Sequence, residues 1–156
     1  MKKLTIRKCK LEDSKSILKI FNSSVKMGYT ETKKKIKFAL HHLWLEKKLL
    51  SKKSFFFVGK FDKKIIGYVR FDKTYLKEYN ISIALKNQFI GKGFGSKFLK
   101  NSINKLIKIK EIKLITSKVK KKNINSTNFF LRNNFVEIIS NKSKLSNYRY
   151  FKLNIS

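Results

Sequence analysis

Apolar and polar positions along the chain follow two periods that alternate from one segment to the next. Leu4-Thr-Ile-Arg-Lys-Cys9 alternates, as a half-buried strand does. Glu12-Asp13-Ser14 then offers a helix start, with Ile17, Leu18, Ile20 and Phe21 recurring at helical spacing as its inward face. The helical period returns over residues 33–50, where Ile36, Leu40, Leu43, Trp44 and Leu50 are expected to carry the helix onto the core. Residues 55–61 and 65–71 are apolar runs flanking Asp62-Lys63-Lys64, which predicts a hairpin. A strand is expected over 78–86, then a glycine turn and a helix over 93–108. A strand over 112–119, a short helix over 124–132, and strands over 135–139 and 148–153 follow. This order predicts a mixed α/β fold: a mostly antiparallel sheet flanked by helices, with one parallel crossover after the glycine turn. No linker, repeat or low-complexity tract interrupts it, so residues 1–156 are expected to form a single domain.

The turn between the strand at 78–86 and the helix at 93–108 carries the most chemistry. Three of the six glycines, Gly91, Gly93 and Gly95, fall within five positions there. A glycine turn from a strand into a helix leaves backbone N–H groups free and lets a ligand approach the main chain. With the helix dipole behind them, those donors suit an anion such as a pyrophosphate. Lys92 and Lys97 add charge, and Ser96 adds a further N–H. A P-loop is excluded, because no Gly-Lys-Ser/Thr follows four residues after the first glycine.

Composition narrows the class. Hydrophobic residues make up 42% of 156 positions and include 14 phenylalanines, enough for a core. No apolar run approaches the ~18 residues that cross a bilayer, so membrane insertion is not expected. The polar start lacks a signal peptide's apolar stretch, and the single cysteine, Cys9, fits a reducing compartment. A cytoplasmic location is expected. Thirty-nine Lys and Arg against nine acids give a net charge of +30. The chain is also rich in Ile, Asn and Phe and has no proline, preferences that follow AT-rich codons. The lysines are spread along the chain, so the charge does not by itself require a specific nucleic-acid partner.

Gln88-x-x-Gly91-x-Gly93, at the strand-to-helix turn, resembles the coenzyme A motif of the GCN5-related N-acetyltransferases. So does Asn123-Ile-Asn-Ser126 with Phe130 four residues on and Asn134-Phe135 closing the segment. The order of elements is similar over essentially the whole chain. The resemblance implies an N-acetyltransferase with acetyl-CoA as acyl donor, a small-molecule amine as acceptor and no metal; it leaves a homodimer open. It implies cofactor contacts from Gln88, Gly91, Lys92, Gly93, Gly95 and Ser96. The backbones of Ile83 and Leu85, together with Asn123 and Phe130, would meet the pantetheine arm. Asn123 reads equally as a helix N-cap.

The front half resembles a narrower group. His41-x-x-Trp44-Leu-Glu-Lys-Lys-Leu49, Gly67-Tyr-Val-Arg-Phe-Asp72 and Ile81-Ser-Ile-Ala-Leu85 look like acetyltransferases of amino-sugar nucleotides in pseudaminic-acid and related nonulosonic-acid pathways. That likeness implies a sugar-nucleotide acceptor met by His41, Trp44, Arg70 and Asp72. Each has a plainer reading: core for His41 and Trp44, solvated strand positions for Arg70 and Asp72. Three positions depart from the family pattern. Asn134 replaces a glycine, Phe130 stands where many members have a proton-donating tyrosine, and Asn80 stands where relatives often have a glutamate. Glu78 is the candidate base and Tyr148 the candidate acid, with a solvated carboxylate and a structural tyrosine as the alternatives. A protein N-terminus or lysine, an aminoglycoside and a polyamine are the other acceptors. A catalytically idle coenzyme-A-binding relative is a further alternative. From another class, Lys92-Gly-Phe-Gly95 matches the opening of an RNA-recognition signature. That signature continues along a strand, whereas Ser96-Lys97 here lead into a helical period.

Overall fold

The computed structural model describes residues 2–156. Its elements run β1 (Leu4–Lys8), α1 (Ser14–Lys26), α2 (Phe38–Leu50), β2 (Ser54–Phe61), β3 (Lys64–Tyr75), β4 (Glu78–Leu85) and α3 (Phe94–Ile107). Then come β5 (Leu114–Lys120), α4 (Ile124–Arg132), β6 (Val136–Ile138), α5 (Asn141–Leu145) and β7 (Tyr148–Asn154). Among the described residues, seven strands make one sheet in the order β1-β2-β3-β4-β5-β7-β6. Every pairing is antiparallel except β4 with β5, the crossover expected around α3.

Strand alternation gives the sheet two apolar faces, each covered by helices. Phe57, Val69, Phe71, Tyr79, Ile81, Ile115 and Phe151 pack with Phe98, Leu99 and Leu106 of α3 and with Phe130 of α4. On the opposite face, Phe56, Val58 and Tyr68 pack with Ile17 and Ile20 of α1 and Leu45 of α2. The β2–β3 hairpin turns on Asp62 and Lys63, both at positive φ (50° and 64°), the backbone that a two-residue turn between right-twisted strands requires.

Three expectations are corrected. The second helix begins at Phe38, not 33, and Leu40, Leu43 and Leu50 are exposed while His41 and Leu45 are buried. The segment is apolar almost all round, so its period does not select a face. Lys37 enters with extended backbone, and Asn22 of α1 holds the preceding loop by two bonds to Ile36: Nδ2 donates to its carbonyl at 3.1 Å, and its N–H donates to Oδ1 at 2.9 Å. The strand expected over 112–119 begins at Leu114. Finally, α5 was not anticipated. It is one polar turn capped by Ser140, whose Oγ accepts from the Ser143 N–H at 3.2 Å.

Candidate active site

Strands β4 and β5 run side by side only from Glu78 to Asn80, opposite Leu114 to Thr116. Asn80 Nδ2 donates to Thr116 Oγ1 at 3.2 Å at the last paired position. Beyond it the strands part. β5 stays paired with β7 through Lys120, and β4 stays paired with β3 through Leu85. Among the described residues, no strand pairs with the other edge of Ile81–Leu85. That edge, which includes the backbones of Ile83 and Leu85, can accept an extended ligand as an added strand.

The open end of this gap leads to the glycine turn. A 3-10 turn at Asn87–Phe89 carries the exposed Gln88, and Gly91 and Gly93 follow with φ of 76° and 83°. Both glycines are needed for their left-handed backbone, not for space, since a Cβ on either would meet nothing within 4 Å. Gly93 is the N-cap of α3 and has no side chain to cap it, so the first N–H groups of the helix stay available. Successive N–H groups around left-handed residues form an anion-binding concavity. Lys92, Ser96 and Lys97 are exposed around it. Gly95 serves packing: a Cβ there would lie 2.9 Å from the Phe129 ring. The rings of Phe61, Phe89 and Phe94 meet edge to face at 5.0–6.0 Å and tie the turn to the end of β2. Lys92-Gly-Phe-Gly95 thus opens a helix rather than a strand, which removes the structural context of an RNA-recognition signature.

The second expected cofactor segment divides its roles. Asn123 is buried and its Oδ1 accepts from the Ser126 N–H at 3.1 Å, so it caps α4. Phe130 is 4% exposed, with ring centroids 4.9 Å from Phe135 and 6.0 Å from Phe151; it is a core residue. The half-buried ring beside Gly95 and Leu85 belongs to Phe129, which sequence reasoning missed. Asn134 adopts φ 67°, the left-handed angle its replacement of a glycine requires.

On the α1/α2 face of the sheet, the four expected acceptor residues form a chain of contacts. His41 and Trp44 rings lie 5.4 Å apart, and the Arg70 guanidinium sits 5.1 Å over the Trp44 ring. Arg70 Nε donates to Asp72 Oδ2 at 2.6 Å and Nη2 to Ser82 Oγ at 3.3 Å. Asp72 Oδ1 accepts from Lys48 Nζ at 3.0 Å and from Ser54 Oγ at 2.6 Å. Burial opposes ionisation of Asp72, but the Ser54 hydrogen bond and the charges of Arg70 and Lys48 outweigh it and hold the carboxyl below its usual range. Lys48, Ser54 and Ser82 carried no sequence signal, because a lysine and two serines in this composition stand out from nothing. His41 is buried, with Nδ1 3.2 Å from Ser14 Oγ; burial and the neighbouring His42 lower its pKa.

Glu78 and Tyr148 are not brought together. Glu78 sits opposite Leu114 at the closed end of the gap, and Tyr148 opposite Lys120 at the far end of β5. Six strand steps separate the two positions, roughly 20 Å. The Tyr148 ring carries the Lys118 ammonium at 4.1 Å, while Lys118 is also paired with Glu31. Burial and the Glu31 charge raise the Tyr148 pKa, with Lys118 opposing them. No cluster of three or more His, Cys, Asp or Glu residues suited to a metal occurs among the described residues.

A mixed sheet parted between two parallel strands, with an uncapped glycine turn at the open end, is the architecture of an acyl-CoA-dependent acyltransferase. The sequence profile of the acetyltransferase (GNAT) family matches residues 16–135. The chain belongs to that family and is an acyltransferase. No curated protein matches it by sequence. Its fold is similar to that of a ribosomal-protein-alanine N-acetyltransferase from Brucella melitensis, with TM-score 0.82 and 15% identity over 97% of this chain and 99% of that one. It is similar to yncA from Salmonella typhimurium, solved with its cofactor acetyl-CoA, with TM-score 0.80 and 17% identity over 99% and 95%. A chimeric spermidine N-acetyltransferase from Vibrio cholerae aligns with TM-score 0.80 and 18% identity over 97% and 95%.

Proposed function

We propose that this chain transfers acetyl from acetyl-CoA to the primary amine of an amino-sugar nucleotide. The observation that carries the donor half is the parted β4 edge ending in an uncapped, left-handed glycine turn. The N–H groups at Gly91–Ser96 meet the pyrophosphate, and the backbones of Ile83 and Leu85 pair with the pantetheine arm. Phe129 covers one side of the gap. The acceptor lies on the α1/α2 face, where Ser82, two residues beyond the last β4–β5 pair, meets Arg70 beside Trp44. Trp44 offers a planar face to a sugar or base and Arg70 a fork to phosphate oxygens. His41, bonded to Ser14, fixes the Trp44 helix. The amine nitrogen bonds to the thioester carbonyl carbon, the C–S bond breaks, sulfur leaves as thiolate, and the amine proton passes to solvent.

An acetylation screen tests the reading, using amino-sugar nucleotides, free amino sugars, polyamines, aminoglycosides and peptides at matched concentration. Nucleotide-linked amino sugars are expected to give the highest kcat/KM. Equal turnover of free and nucleotide-linked sugars, or preference for peptides, overturns the acceptor while leaving acetyl transfer intact. If neither acetyl-CoA nor CoA binds, the donor half fails.

A further inference from the structure

The contacts around Asp72 change the part this residue plays on the acceptor face. Both of its oxygens are taken, one by Lys48 and Ser54 and the other by Arg70. A carboxylate paired with two cations is a weak partner for the acceptor's ammonium and a weak base for its proton. What it does is hold two cations from different elements, α2 and β3, side by side. Against its single negative charge stand two positive ones, and no other carboxylate contacts either cation among the described residues. Each cation is also restrained from behind: Arg70 lies over the Trp44 ring and reaches Ser82, and Lys48 lies 6.0 Å from the same ring. Their side chains are 20% and 30% exposed, so both keep N–H groups that the described contacts do not use.

We infer that Arg70 and Lys48, braced by Asp72, form an anion subsite for the phosphate groups of the acceptor. The inference rests on the preceding reading for which face the acceptor uses, and it goes further in two ways. It brings Lys48 into the site, and it makes Asp72 a positioning residue that touches protein cations rather than substrate. The ligand class is a phosphate or diphosphate monoanion or dianion, since two adjacent cations with a net local charge of +1 select negative ligands and repel polyamines. A +30 surface attracts anions everywhere, so the subsite is distinguished from the general field by its geometry, not by attraction alone.

Inorganic pyrophosphate is the probe, titrated calorimetrically at about 0.15 M salt, where the field of distant lysines is screened beyond ~8 Å. The protein is first saturated with CoA to fill the glycine turn. If CoA does not saturate, the donor reading fails by that titration alone, and the same variants are compared on the free protein. Pyrophosphate is expected to bind at one site. Lys48→Met and Arg70→Gln should each weaken it about tenfold or more, the loss of one charge-assisted hydrogen bond. Lys19→Met, at an exposed α1 position with no hydrogen bond or ion pair to Asp72, should leave it unchanged. Because Arg70 packs on Trp44, a folding check by circular dichroism accompanies that variant, and Lys48→Met carries the test if Arg70→Gln unfolds. Absence of pyrophosphate binding, or equal losses in Lys19→Met and Lys48→Met, overturns the subsite. Binding that follows the predicted pattern while peptides prove the better acceptors sinks the sugar-nucleotide acceptor and leaves the subsite standing.

Discussion

Substituting Gly93 separates two demands that a glycine turn meets at once. Its φ of 83° is a left-handed angle, and its missing side chain leaves the first N–H groups of α3 open. In the free protein a Cβ at this position meets nothing within 4 Å, so the only cost of Gly93→Ala to the fold is backbone strain. Left-handed backbone costs an L-residue about 1–2 kcal/mol. The lower entropy of the unfolded alanine chain offsets about 0.4–1 kcal/mol of that. The net loss, about 1 kcal/mol, lowers Tm by about 2–4 °C for a domain of this size. Gly93→Asn removes most of the strain, because asparagine adopts left-handed angles with little penalty; Asn134 already does so at φ 67°.

Both variants place a side chain where the pyrophosphate meets the helix. Losing or lengthening one charge-assisted hydrogen bond there costs about 1.5–3 kcal/mol, which raises the acetyl-CoA KM about tenfold or more. The asparagine variant is the decisive one. Its Tm should fall by less than about 2 °C while its KM rises as much as that of alanine. Differential scanning fluorimetry and initial-rate kinetics read the two quantities independently. An unchanged KM in Gly93→Asn refutes the reasoning, and a KM that rises only in Gly93→Ala shows that turn geometry, not access to the N–H groups, is what matters. Valine is a poorer probe, since a β-branched residue at this angle confounds strain with access.

Two further outcomes follow from the burial of single side chains. Phe130→Tyr adds a hydroxyl to a ring enclosed by Phe129, Phe135 and Phe151, so it should cost about 1–3 kcal/mol of stability and change kcat less than about tenfold; a hundredfold gain in kcat with unchanged stability would place the ring edge at the thioester. His41 has a folded pKa below its unfolded value of about 6.5. The unfolded chain then binds the extra proton first, so stability is lost as pH falls from about 6.5 towards the folded pKa; Tm measured from pH 8 to pH 5 should fall in the wild type, and His41→Asn should flatten that slope.

How much of this was legible in the chain follows from where the deciding interactions lie. The strands, the crossover and the glycine turn were readable because period-two alternation, a helical period and clustered glycines are local signals. Asn134 was readable for the same reason: a left-handed position restricts residue type by itself. The inward face of α2 was not, since a segment apolar almost all round turns its face by what it packs against, and here that is Ser14 and Phe56. The parting of β4 from β5 has no signal in either strand, because it is the absence of pairing between residues far apart in sequence. The Asp72 contacts were hidden likewise: Lys48, Ser54 and Ser82 are ordinary residues until three elements bring them to one carboxylate. At the positions carried over from the resemblance, burial adds what the motif does not say: Asn123 caps a helix and Phe130 packs in the core.

The same cations bear on how the amine becomes a nucleophile. Attack on a thioester needs the neutral amine, and Asp72, His41 and Glu78 are each poorly placed to take its proton. Asp72 is paired with two cations, His41 is buried against Ser14, and Glu78 lies on the closed side of the strand divergence. Arg70 and Lys48 leave a net unit of positive charge beside Ser82. An amine held within about 8 Å of that charge, at an effective dielectric of about 20, has its protonated form disfavoured by ~2 kcal/mol. This corresponds to a pKa lowered by about 1.5, so the neutral fraction near pH 7 rises more than tenfold. A phosphate of the acceptor paired with the two cations subtracts from this shift, so the part that Lys48 contributes is read by difference between wild type and variant. In the proposed subsite a polyamine's second ammonium meets the same repulsion with nothing to offset it. The pKa of the bound acceptor, read from the pH dependence of kcat at saturating acceptor, should therefore shift upward in Lys48→Met; an unshifted profile would mean that deprotonation is governed elsewhere.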